Sequence, residues 1–163
     1  MIEASRIEQL RELIMATIEL KQIAGGFCEN FEVKKTWFLC EELEESYDED
    51  CEPVGTVWIC PRPAFIRNLA RHNGGQDAVE EELTVNLTMA FPRSQSSEEQ
   101  VGVHVRLLEE LTDTIRRTAS ANGYGFMRAE PARDDWGTPY LFVNMEKGSF
   151  FTILEFRFMN TIP

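Results

Sequence analysis

The residues that could do chemistry in this chain are two histidines, four cysteines, an acidic run and the adjacent aspartates Asp134 and Asp135. Cys28, Cys40, Cys51 and Cys60 form no CxxC pair, and His72 and His104 are not at ligand spacing, so no zinc signature is present. Cys40 and Cys60 sit inside apolar runs and read as small core residues of a reduced protein. Glu41, Glu42, Glu44, Glu45, Asp48, Glu49, Asp50 and Glu52 place eight carboxylates in twelve positions. A calcium loop beginning at Asp48 would need glycine where Pro53 stands and a bidentate Glu where Ile59 stands. Like charges at this density repel, so the run reads as a solvated loop or, functionally, as a negatively charged protrusion. Asp134 and Asp135 are adjacent, but no base or metal ligand is placed beside them for acid–base work. Phosphate-binding glycine loops, the H-E-x-x-H pair and the G-x-S-x-G elbow are absent from the sequence. The pattern points to a structural or binding protein rather than an enzyme, with no catalytic residue, cofactor or metal assigned.

The basic residues are more suggestive. Sixteen Lys and Arg stand against 28 Asp and Glu, a net charge of −12, yet Arg62, Arg67, Arg71 and His72 gather in one excursion with Phe65, Ile66 and Leu69 between them. Two readings stay open for Ala64 to Ala78. One is an irregular connection with a short helix; the other is a basic arm hinged at Gly74–Gly75 that orders on a partner. The overall charge opposes general nucleic-acid binding, which needs Lys and Arg surfaces, and favours a basic partner or a surface that must not adhere to DNA.

Periodicity supplies the elements that would hold these residues. From Ser5 to Ile23, Ile7, Leu10, Ile14, Thr17 and Ile18 form an apolar stripe widened by Leu13, with a Ser5/Glu8 capping box in front and Gly25–Gly26 behind. This helix reads as a packed core element. Phe31 to Leu43 reads as a first strand and Gly55 to Cys60 as a second, ended by Pro61 and Pro63. Glu80 to Phe91 alternates strictly, with Leu83, Val85, Leu87, Met89 and Phe91 on the face turned to a core. A second helix begins at Ser96/Glu99 or Ser97/Gln100 and buries Val101, Val105, Leu108, Leu111 and Ile115. Its Arg116 and Arg117 are placed in the last turn, and its His104 at the surface or boundary. Asn122 to Pro139 reads as irregular. Tyr140 to Val143 and Phe150 to Met159 read as the closing strand pair, turned at Lys147-Gly148.

The order α-β-β-β-α-β-β predicts an α+β fold: a mostly antiparallel sheet of about five strands with two main helices on one side. A length of 163 residues and 43% apolar content fit a single domain over residues 1–163. With no run of apolar residues long enough to span a bilayer and no signal-peptide pattern, the expected compartment is cytosolic.

The stretch V-x-x-x-P-R at Val57 to Arg62, the Arg71 excursion, "LLEELTDTIRR" at Leu107 to Arg117 and "FTILEFRF" at Phe151 to Phe158 resemble the small neck and tail-completion proteins of long-tailed bacteriophages and prophages, most of all the tail terminators. The acidic insert Glu41 to Glu52 and the segment Arg128 to Pro139 depart from that pattern. The resemblance implies a non-catalytic subunit of a homo-oligomeric, typically six-fold ring that ends tail-tube polymerisation and joins tail to head. Its partners would be the tail-tube and head-connector proteins, and its location the cytoplasm during assembly and then the virion tail. Arg62, Arg67, Arg71 and Phe65 are the expected subunit or tube interface, and the carboxylates from Glu41 to Glu52 the expected channel or rim surface. The competing class is an acidic binding protein, an immunity protein or DNA mimic, that covers a basic partner.

Overall fold

A computed structural model describes residues 3–37, 46–47, 53–67, 79–131 and 150–162. Helix α1 runs Arg6–Ile23 and opens as the sequence predicts: Ser5 caps it, and the Glu8 carboxylate accepts from the Ser5 amide at 2.8 Å. It ends in a left-handed Gly25, with Gly26 N–H donating to Lys21 O and Gly25 N–H to Gln22 O, the two bonds of a Schellman motif. Helix α2, Glu98–Ala121, uses the second of its two candidate caps, Ser97 with Gln100. Ser96 is diverted to donate to Pro92 O at 2.8 Å and to accept from Phe150 N at 3.0 Å. Gly123 is left-handed and Tyr124 N–H reaches Ala119 O, so α2 closes in the same way as α1. Because α2 continues to Ala121, Arg116 and Arg117 lie short of its last turn, which holds no basic residue; the expected dipole pairing there is replaced by Asn122 donating to Thr118 O.

The strands are β1 (Glu32–Lys35), β2 (Ser46–Tyr47), β3 (Pro53–Val54), β4 (Thr56–Arg67), β5 (Val79–Phe91), β6 (Gly125–Pro131) and β7 (Phe150–Ile162). Five form a sheet in the order β1-β4-β5-β7-β6, and β2 and β3 make a separate two-residue ladder. All pairings in the large sheet are antiparallel except β1 with β4. The fold is α+β, with the element order the sequence predicts. Among the described residues the strand before β7 is β6, inside the segment expected to be irregular, and the expected strand Tyr140–Val143 lies outside the described residues. The first strand is likewise shorter than expected. Trp37 follows it, half-exposed and stacked under the Arg11 guanidinium at 4.4 Å, and Phe38 to Leu43 lie outside the described residues.

Pro61 does not end β4, which continues to Arg67. Gly55 O and Ile59 O accept from Glu32 N and Thr36 N, so the odd-numbered residues of β4 turn their backbone groups toward β1. β1 stops at Lys35, opposite Ile59. The donor that Pro61 lacks therefore faces the side of β4 that β1 has already left, where it breaks no ladder among the described residues. Pro63 falls in the bulge between Arg62 and Phe65, and Ala64 to Arg67 are strand rather than the start of a short helix.

Both helices pack on one face of the sheet. Leu10, Ile14 and Ile18 of α1 and Leu107, Leu108, Leu111 and Ile115 of α2 share one cluster with Val57, Ile59, Leu83, Val85, Leu87, Met89, Phe91, Phe156 and Phe158. Each such side chain contributes roughly 1.5–3 kcal/mol by leaving water. Val101 and Val105 are only partly buried against this cluster. Contacts from α1 and its following turn run backwards along α2, Lys21 to Thr114 and then Cys28 to Glu110 and Val103, so the helices are antiparallel. Gly55 permits a close approach in the core: a Cβ there would lie 2.1 Å from the Phe91 ring.

Candidate functional site

The second face of the sheet is polar and nonetheless buried. On β5 Thr84, Asn86 and Thr88 alternate with the core residues, and all three are closed off from solvent, as are Thr56, Trp58 and Cys60 of β4. Register aligns the charges on this face in rows. Arg62, Thr84, Arg157 and Arg128 form one row; Cys60, Asn86, Glu155 and Glu130 form the next; Glu82 lies in the row on the other side. Same-face neighbours along a strand are about 7 Å apart, within reach of Arg and Glu side chains.

Arg157 is the hub of this arrangement. It donates to Glu155 at 2.7 Å and lies 3.5 Å from Glu82 and 3.4 Å from Glu130. Arg62 reaches the other oxygen of Glu155 at 3.1 Å, and Arg128 lies 3.4 Å from Glu130. The hydrogen bond to Glu155 and the surrounding carboxylates push the Arg157 guanidinium above its ordinary value. Glu155, side chain 4% exposed, is gripped by two guanidiniums at once, one on each carboxylate oxygen. Asn86 sits at the centre of this face, fully buried, with neither amide atom hydrogen-bonded.

Of the expected interface residues, Arg62 projects from β4 with about half of its side chain exposed, anchored by Glu155. Phe65 and Arg67 lie on the distal part of β4, paired with Glu82 and Glu80. Arg71 and His72 lie outside the described residues, as do Glu41, Glu42, Glu44, Glu45, Asp48, Glu49, Asp50 and Glu52. Ser46–Tyr47 and Pro53–Val54 pair as strands within and beside that acidic run, where a loop is expected.

His104 is buried in the core rather than at the surface or boundary where the sequence places it. It stacks on Phe91 with ring centroids 3.6 Å apart and planes 14° from parallel, and donates from Nε2 to the Gln95 carbonyl. Nδ1 has no hydrogen bond and faces the Glu29 carboxylate at 4.0 Å. Burial holds the imidazole below its ordinary pKa against the opposing pull of the Gln95 bond and Glu29. The Cys28 thiol is pushed up, by partial burial first and by Glu110 second, the reverse of an activated nucleophile.

Among the described residues no group of three His, Cys, Asp or Glu side chains is placed to hold a metal ion. No helix among them is long and apolar enough to cross a membrane. No protein-family model matches the chain, and no curated protein matches it.

The ion network was not legible as a site in the sequence. Its members come from β4, β5, β6 and β7, and only the register assembles them. The nearest sequence signal is the alternation of Glu155 and Arg157 with Phe156 and Phe158, which marks a charged face without naming its partners.

Proposed function

We propose that this protein is a structural subunit of virion assembly, of the tail-terminator kind, which forms a closed homo-oligomeric ring, ends tail-tube growth and joins the tail to the head connector. It acts in the cytoplasm during assembly and remains in the virion tail. The observation that carries this reading is the length and continuity of the β4–β5 pair. Pairing continues past both prolines to Arg67 opposite Glu80, and β7 reinforces β5 as far as Val79 opposite Ile162. The chain that bears Arg71 thus leaves and re-enters at the end of a three-stranded ladder, a firm mounting for contacts to a neighbouring subunit or tube. Arg62 lies along the same ladder, oriented by Glu155, and charge-assisted pairing with carboxylates of the neighbour is its role. A net charge of −12 suits a ring through which DNA passes, since cationic walls would adsorb the phosphates.

Replacing Arg62, Arg67 and Arg71 together with Ala tests the reading. The triple variant is expected to keep its circular dichroism spectrum and melting transition while losing ring or tube binding. Assembly equal to the wild type would remove these arginines from the interface. Capture of a basic protein one to one by a strictly monomeric chain would replace the reading with that of an acidic binding protein.

A further inference from the structure

We propose that the outward side of α1 is a docking face for a basic amphipathic helix of another protein. This surface is separate from the arginine-bearing ladder and does not depend on the assembly reading. Leu10, Ile14 and Ile18 point into the core, but α1 carries a second apolar series, Leu13, Ala16, Leu20 and Ile23, at intervals of three and four residues. That is the a/d spacing of a coiled-coil seam, about 15 Å long on the far side of the helix. Leu13 is half-buried, Ala16 is exposed, and Leu20 and Ile23 are 68% and 85% exposed. Single exposed apolar residues are ordinary, whereas four aligned on one helix face leave an unfilled seam.

The charges beside the seam select its occupant. Glu12 and Glu19 immediately precede Leu13 and Leu20 and flank one side, while Thr17 and Ala24 flank the other. Glu19 is exposed and makes no ion pair among the described residues; Glu12 is held by Lys35 at 3.0 Å yet remains about half-exposed. A second copy of α1 would set these glutamates against each other or against Thr17 and Ala24, gaining no ion pair and adding repulsion between two chains of charge −12. A helix with Lys or Arg beside its apolar stripe supplies both the missing burial and the missing charge.

The test uses the whole chain and a synthetic Leu/Lys helix of about the length of α1, with Leu at its a and d positions and Lys beside them. Calorimetry should show one-to-one binding of this peptide, and a peptide with Glu in place of Lys should not bind. L20E/I23E should weaken binding by at least about tenfold. Both changes add negative charge, so mere attraction of a cationic peptide to an acidic protein would strengthen, not weaken. Leu20→Ala serves as a second variant with a smaller loss in the same direction, should the double change disturb folding. Equal binding by the variants, equal binding of the Glu peptide or no binding at all would overturn the proposal. A wild-type dimer abolished by Leu20→Glu would also overturn it, assigning the face to a second copy.

Discussion

Arg62 Nη1 lies 3.1 Å from Glu155 Oε2, so one member of the basic cluster is engaged across the sheet with a carboxylate 93 residues away in sequence. The same carboxylate takes a second, shorter bond from Arg157. The two arginines differ in surroundings: about half of the Arg62 side chain meets solvent, against 18% for Arg157.

That difference predicts unequal costs. Arg62→Ala removes a partly exposed partner and leaves Glu155 paired, so the loss should stay within about 1 kcal/mol. Glu155→Gln replaces a buried carboxylate that sits between two guanidiniums and should cost about 2 kcal/mol, within the range for hydrogen bonds to charged groups. Urea unfolding of the two variants checks the order. An Arg62 variant less stable than the Glu155 variant would contradict the network as described.

His104 predicts an acid-sensitive fold. Its pKa is lowered in the folded protein, so the unfolded chain binds the proton more readily and the neutral ring's contribution is complete only above the unfolded value. Stability should therefore fall as pH drops below about 6.5, by at most about 1.4 kcal/mol per pH unit for one group. Phe91, Phe150 and the Gln95 carbonyl face the ring, and Glu29 is the charged group beside it, 4.0 Å away. His104→Phe keeps an aromatic stack and removes the titration. Thermal melts across this range should be flatter for that variant than for the wild type; an unchanged slope would assign the acid sensitivity elsewhere.

The physical reasons for what sequence could and could not reveal are visible in particular residues. The β5 alternation and both capping boxes are local, and the structure forms them where the pattern places them. Pro61 misleads because its cost depends on which side of β4 still has a neighbour, a matter of where β1 ends. β6 is hidden because Gly125 and Pro131 bound a short strand whose order comes from pairing with β7. Leu13 reads as widening the inward stripe of α1 when its outward companions, Ala16, Leu20 and Ile23, are not set beside it. His104 is polar by type and buried by context, and the Arg157 network exists only once four strands are in register.

Ring assembly by the proposed subunit is tested by molar mass from light scattering, measured from low to high protein concentration, alone and with tail-tube protein added. The subunit mass is 18.8 kDa. A closed ring should appear as a species at a fixed integral multiple of that mass, formed at high concentration or on the tube, whose value grows no further. A strict monomer under both conditions, or a mass that rises without limit, would contradict it.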